Sequence, residues 1–331
     1  MGSPLRIAPL LIAAAASTHP ALGQTRKPIN EEWDQVKPLF KIVEEVAAGK
    51  PAPSDVTLSW HCHFLKAQSG VDFVPFTLKI ERSAFAAFPV AMYVRVVGRG
   101  APAPAPGPRD ALAQYPFEDA AMVDRTLEGR ITRGFTAPPG DYDVYVALME
   151  KPAATLPHPR TVVVKEAVTV PDLESSLAIS SIFVTEKVEI DSRNRRPDYE
   201  EQLDDPYSLW GSKVRPALRN TFRRSEKLSV LFLIYNTGAA AGDKPAIEVQ
   251  YTFYRPTSHG DTFFIRTRPE IFDAHTLAKE FSLSGGDLIL AGQEMPLARF
   301  PDGDYRLEIV VIDKTDGQSV ARDLKLTVSG F

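Results

Sequence analysis

The sequence predicts a mainly β protein: two tandem immunoglobulin-like β-sandwich domains with a short N-terminal helix. Three observations predict it. A phrase occurs twice: Pro139-Gly140-Asp141-Tyr142-Asp143-Val144-Tyr145-Val146 returns as Asp302-Gly303-Asp304-Tyr305-Arg306-Leu307-Glu308-Ile309. Each copy runs into alternating apolar residues and is followed by one further apolar run of strand character. Elsewhere the chain reads mostly as short period-two runs between turn signals such as Asn236-Thr237-Gly238 and Asp316-Gly317. Several short strands at this spacing with few helices indicate a sandwich. The 28 prolines and 20 glycines suit a turn-rich chain.

The first residues read as an export signal. Arg6 supplies a weak positive region, and Ile7 to Ala16 is apolar but too short to span a bilayer. Ala21-Leu22-Gly23 places small residues where a signal peptidase inspects them, so cleavage is expected after Gly23, making residues 1–23 a signal peptide. No later stretch is long and apolar enough for a transmembrane helix. The expected location is periplasmic or secreted. The 38 basic and 42 acidic residues leave a formal charge of -4, which gives no electrostatic case for nucleic acid. A single cysteine, Cys62, rules out an internal disulfide.

Residues 24–54 form the N-terminal helical segment. Asn30 is placed to cap, Glu31 and Glu32 suit a first turn, and Trp33, Val36, Leu39, Phe40, Val43 and Ala47 recur at helical spacing. Gly49 and Pro51 end it. Pro38 is expected to kink the helix or open a second one. The apolar stripe is expected to lie over the first sandwich.

The first sandwich is read over 55–172. Val56, Leu58, Trp60, Cys62 and Phe64 alternate with polar residues and His61 and His63. Further strands are read around Phe76 to Ile80, Val90 to Val97, Leu127 to Ile131, Tyr142 to Met149 and Thr161 to Val170. The Ala-Pro run 101–108 reads as an extended surface loop. The second sandwich is read over 173–331, with a polar, charged loop at 191–210. Its strands are expected at Ile179 to Val188, Leu228 to Tyr235, Ile247 to Tyr254 and Phe263 to Arg266. More follow at Leu277 to Leu283, Glu294 to Leu297, Tyr305 to Ile312 and Ala321 to Val328.

In immunoglobulin-like sandwiches a tyrosine near the start of the sixth strand bonds its hydroxyl back to the backbone. Tyr142 and Tyr305 fit that role, with Gly140 and Gly303 allowing the sharp entry. Val144, Val146 and Leu148 would face one core, and Leu307, Ile309 and Val311 the other. The opposite faces carry Tyr145, Ala147, Val310 and Ile312, so part of each outer face should be covered.

Three constellations have chemistry in reach. His61 and His63 leave one strand face and are candidate metal ligands, lacking a third ligand nearby in sequence; otherwise they are solvent-face residues flanking a core Cys62. Tyr199, Tyr207 and Trp210, beside Asp204 and Asp205, have the residue types of a sugar or cation site, and also of a loop folding back onto a sandwich. Asp141, Asp143, Asp302 and Asp304 are oxygen donors that suit calcium or, more simply, turns. No nucleophile elbow, phosphate loop or dinucleotide fingerprint occurs, and no cofactor is implied.

The segments Gly134 to Tyr142, Leu173 to Glu189 and Phe300 to Lys314 resemble parts of uncharacterised exported bacterial β-sandwich proteins. Some of these carry a Gly-Trp-x-Thr-Asp (GWxTD) or von Willebrand-type domain; the GWxTD motif is absent here. The resemblance implies no activity and carries over no functional residue. The function expected is a non-catalytic binding or structural role in the cell envelope, with another envelope protein or a glycan as partner. A glycan would use the 199–210 region. A metal-dependent hydrolase using His61 and His63 is a further alternative.

Overall fold

The computed structural model describes residues 24–67, 70–81, 84–99, 117–152, 158–190, 199–209 and 212–330. The expected signal segment, the run 101–108, the charged run 191–198, Trp210 and the side chain of Tyr199 lie outside the described residues. The fold is mainly β, and no helix among the described residues is long and apolar enough to cross a membrane. The chain divides into two compact units. One runs up to Asp172 and takes in the segment ending at Tyr207; the other takes Leu173 onward and Ser208 onward.

The first unit contains β1 (Thr25–Arg26), α1 (Trp33–Ala47), β2 (Leu58–Cys62), β3 (Leu65–Lys66), β4 (Asp72–Ile80) and β5 (Val90–Gly98). It continues with β6 (Phe117–Val123), β7 (Arg130–Ala137), β8 (Gly140–Met149), β9 (Thr161–Val170) and, from the later segment, α2 (Tyr199–Asp204). One sheet has the order β1-β6-β5-β8-β9; the other joins β2, β3 and β7 to β4. Val74, Phe76, Leu78, Val94, Ile131, Phe135, Val144, Val146 and Leu148 meet between the sheets in one core.

A second apolar layer lies on the far side of the larger sheet. Val36, Leu39, Val43 and Val46 of α1 pack on Ala91, Tyr93, Met122, Tyr145, Ala147 and Met149. This explains why β8 is apolar on both faces: one serves the core and the other serves the helix. The helix starts from a turn at Asn30–Glu32. That turn is capped by Glu32, whose carboxylate accepts from the Ile29 amide at 3.0 Å, and not by Asn30. Pro38 sits inside the helix, where its missing donor removes one hydrogen bond. Gly49, with φ +96°, ends the helix and donates its amide to Val46.

The second unit contains β10 (Ala178–Ile179), β11 (Phe183–Ile190), β12 (Ser208–Leu209), β13 (Ser212–Pro216), β14 (Thr221–Arg223) and β15 (Lys227–Tyr235). It continues with β16 (Ile247–Thr257), β17 (Gly260–Arg266), β18 (Glu270–Phe272), β19 (Ile289–Pro296), β20 (Gly303–Asp313) and β21 (Ser319–Ser329). One sheet has the order β10-β15-β11-β13-β12 with β19 beside β15; the other has β14-β21-β20-β16-β17 with β18 beside β16. Phe232, Ile234, Val249, Tyr251, Phe253, Leu307, Ile309 and Val311 lie in the shared core.

The two units follow one connectivity. The series β4, β5, β6, β7, β8, β9 corresponds to β15, β16, β17, β19, β20, β21, in pairing partners as well as order. They differ at the sheet edges. In the first unit β1 pairs beyond β6, and in the second β14 pairs in parallel beyond β21.

Four expectations are corrected. Residues 199–204 of the expected loop form α2 and belong to the first unit. Leu127 and Glu128 belong to a tight hairpin turn, closed by reciprocal Leu127–Arg130 backbone bonds with φ +54° at Glu128 and +71° at Gly129; the strand starts at Arg130. The span Leu277 to Leu283 is turn and loop. Its backbone is satisfied by the buried Lys244, whose Nζ donates to the carbonyls of Ala278, Lys279 and Phe281 at 2.7, 2.9 and 2.5 Å. The strand read at Glu294 begins earlier, at Ile289.

Candidate functional site

The repeated phrase builds the same corner in both units. The Tyr142 hydroxyl donates to the Pro138 carbonyl at 2.9 Å, and the Tyr305 hydroxyl donates to the Pro301 carbonyl at 2.6 Å. Gly303 has φ +137° and Gly140 +152°, values an L side chain rarely adopts. The neighbouring aspartates are matched too: Asp141 accepts from the Thr169 hydroxyl and Asp304 from the Thr327 hydroxyl, each at 2.6 Å. Asp143 lies beside Arg99 and Lys165, at 3.4 and 3.8 Å, and Asp302 beside Arg224 at 3.9 Å. These carboxylates serve turns and cross-strand pairs.

The segment around α2 folds onto the first unit. Arg133 of β7 is 1% exposed and shares a strand face with the core residues Ile131 and Phe135. A charge there must be paired. Its Nε donates to Asp119 at 2.8 Å, and its Nη1 donates to Asp204 at 2.6 Å and to the Thr25 hydroxyl at 3.1 Å. Asp204 thus anchors α2 to the sandwich. Tyr207, 4% exposed, is the second anchor. Its hydroxyl accepts from Thr77 at 3.0 Å and lies 3.3 Å from Nδ1 of His63, whose ring meets the tyrosine edge-on.

Of the residues read as an aromatic binding platform, Tyr207, Asp204 and Asp205 are described, while Trp210 and the side chain of Tyr199 lie outside the described residues. Tyr207 presents no open face to a sugar, and the Asp204 carboxylate is engaged by a buried guanidinium. Asp205 is half-buried just past α2, where its amide donates to Glu201.

His61 and His63 are held apart in role. The His61 Nε2 lies 3.3 Å from the Ser59 hydroxyl, and burial with nearby Lys79 and Arg130 lowers its pKa. Burial first, then His61, brings His63 down to about 4, so its imidazole is neutral at pH 7. Burial pushes the Cys62 thiol up to about 11, away from nucleophile chemistry. Among the described residues no group of three or more His, Cys, Asp or Glu side chains is placed to hold a metal ion.

Among the described residues a different surface is open in the second unit. Strand β17 has seven residues, and Phe263 at its centre is 60% exposed. Its sequence, Gly-Asp-Thr-Phe-Phe-Ile-Arg, holds no proline or lysine, and its two charges are engaged within the sheet, Asp261 by Arg306 and Arg266 by the Thr252 hydroxyl. Pro256 of β16 sits opposite Asp261 and has no amide to donate, so that pair lies between ladder hydrogen bonds. By alternation the Tyr254–Phe263 pair does the same. The backbone donors and acceptors of Asp261 and Phe263 therefore point away from β16.

The sheet face beside that edge is set by Arg306. Its guanidinium stacks on Tyr254 and pairs with Asp261, Glu308 and Asp323 at 2.6, 3.1 and 2.7 Å. Tyr254 in turn meets Phe263 edge-on at 6.5 Å between ring centres. Val310 and Ile312 continue the face, half-buried. In the first unit α1 covers the corresponding sheet face, and β1 pairs with the end of β6, at Met122 and Val123. Sequence reading placed Phe263 in a strand but gave no sign of its exposure, which depends on what lies beyond the strand in space.

No family model matches the chain, and no curated protein matches it. Among solved structures it is similar to a trypsin-activated alpha-2-macroglobulin from Escherichia coli, at 13% identity and a TM-score of 0.23. A Salmonella alpha-2-macroglobulin reacted with methylamine is similar at 14% identity and a TM-score of 0.24. Each likeness covers 85% of this chain, which spans 17% of the length of the other. Neither carries an inference about the role of this chain.

Proposed function

We propose that this protein is an exported, non-catalytic binding or structural component of the cell envelope that works through protein–protein contact. One observation carries the reading: among the described residues β17 ends its sheet with Phe263 exposed, whereas in the first unit α1 covers the sheet face and β1 pairs with the end of β6. An exposed apolar edge strand is a template for pairing with another chain, and natural sheets usually guard it. The residues suited to chemistry support the same reading from the other side. Tyr207, His63 and Asp204 are engaged in holding α2, and the Cys62 thiol stays protonated at neutral pH.

The test is a cross-linked pull-down from the native envelope with the wild-type chain and with Phe263→Lys, which places a guarding charge on the edge. The wild type should retain a defined envelope protein and the variant should lose it. Equal retention would count against the β17 edge. A glycan that shifts the melting curve, with no protein retained, would favour sugar binding.

A further inference from the structure

We propose that Gln24 is an autocatalytic modification site: once it is the first residue, the fold promotes closure of its side chain onto its own α-amine as pyroglutamate. The inference rests on the export reading, in which the chain is released after Gly23. The structure places Gln24 where two sheets meet. Its backbone carbonyl accepts from the Asp124 amide at 3.0 Å, just beyond β6. Its side-chain Oε1 accepts twice from Thr132 of β7, from the amide at 3.1 Å and from the hydroxyl at 3.0 Å.

Two donors converging on one amide oxygen polarise its carbonyl towards attack at Cδ. The α-amine nitrogen attacks the side-chain carbonyl carbon Cδ, a new N–Cδ bond forms, and negative charge develops on Oε1. The Thr132 amide and hydroxyl stabilise that charge, as donors in an oxyanion hole do. The intermediate collapses by breaking the Cδ–Nε2 bond. A proton passes from the attacking nitrogen to Nε2, and ammonia leaves; no oxidant or co-reactant is needed. The lactam keeps its carbonyl oxygen, so an acceptor for Thr132 survives in the product.

The neighbours hold this position in place. Thr25 and Arg26 pair with Val123 and Met122, and the Thr25 hydroxyl accepts from the buried Arg133. Arg26 is clamped by Glu32 at 2.6 Å and by Asp124 at 2.9 Å. The Gln24 side chain also covers an amide on the β7 edge that would otherwise lack a ladder partner.

The experiment uses the chain prepared with a native Gln24 as its first residue. Intact mass follows loss of one ammonia in the folded protein and in the same chain unfolded in urea. Folded protein should cyclise about tenfold faster than unfolded chain. The rate should rise with pH as the α-amine deprotonates near pH ~8. Thr132→Val should bring the folded rate down towards the unfolded one, and Thr132→Ser should keep it. A folded rate equal to or below the unfolded rate, or a Thr132→Val variant as fast as wild type, overturns the proposal. The N-terminus of the exported protein is read separately: a first residue other than Gln24 refutes the cleavage site and leaves the rate comparison standing.

Discussion

Tyr142 and Tyr305 each donate a hydrogen bond to the carbonyl of a proline four positions earlier in the chain. Removing either hydroxyl by Tyr→Phe leaves the ring packing and should cost about 1 kcal/mol, read as a lowered denaturant midpoint for the unit concerned. These corners were legible in the sequence because glycine, tyrosine and the alternating strand lie within a few positions. Glu270 was not legible. Its carboxylate accepts from the Tyr251 hydroxyl at 2.8 Å and the Gly292 amide at 3.2 Å, groups from two other strands. Burial raises it to about 7, against the pull of both donors. The folded second unit therefore holds this proton more tightly than the unfolded chain does. The associated stability is full below the ordinary glutamate range and is lost as pH rises through about 7. His63 in the first unit has the opposite sign. Its pKa is lowered to about 4, so the stability it contributes is present above the ordinary histidine value and is lost as pH falls towards 4. Between pH 5 and pH 8 these two groups drive the units in opposite directions, each on the order of 1–3 kcal/mol. Glu270→Gln should flatten the second unit's pH dependence in urea titrations; a slope as steep as wild type would exclude Glu270 as its source.

Helix α1 and the α2 segment are both covers for the first sandwich, built by different chemistry. The α1 cover is apolar, and its 3.6-residue spacing made it readable from Val36, Leu39 and Val43. Leu39→Ala should destabilise the first unit by roughly 2–5 kcal/mol, since Leu39 is fully buried. A loss under 1 kcal/mol would mean the helix contributes little to holding the sheet. The α2 cover is polar: it hangs on Asp204–Arg133 and on Tyr207 with Thr77 and His63. Its partners lie 71, 130 and 144 positions away, so the stretch reads as a charged loop until the fold brings them together. One sign was available in sequence. Arg133 stands in period-two register with Ile131 and Phe135, and a charge on a core face requires a buried partner. Strand β6 escaped notice for a related reason. It carries Glu118, Asp119 and two alanines where a strand signal wants β-branched or aromatic residues, and its inward Asp119 serves Arg133.

At the scale of the molecule, one connectivity is used twice with different finishing. In the first unit β1 pairs with the end of β6 and α1 closes the sheet face; in the second, among the described residues, the same edge ends at β17, with Phe263 exposed and the Arg306 cluster beside it. The doubled Gly-x-Tyr phrase pointed to two sandwiches, because it marks a strand interior to each. What closes or opens an edge is set by segments remote in sequence, such as residues 25–26 against β6, and no local pattern reports it. The β17 edge is the site proposed for a partner protein. The test places a photo-cross-linking residue at position 263, with a control at the exposed Lys37 of α1, and irradiates the protein in its native envelope. A single defined protein adduct is expected from position 263 that the control does not form. No adduct at 263, or the same adducts from both positions, would contradict it.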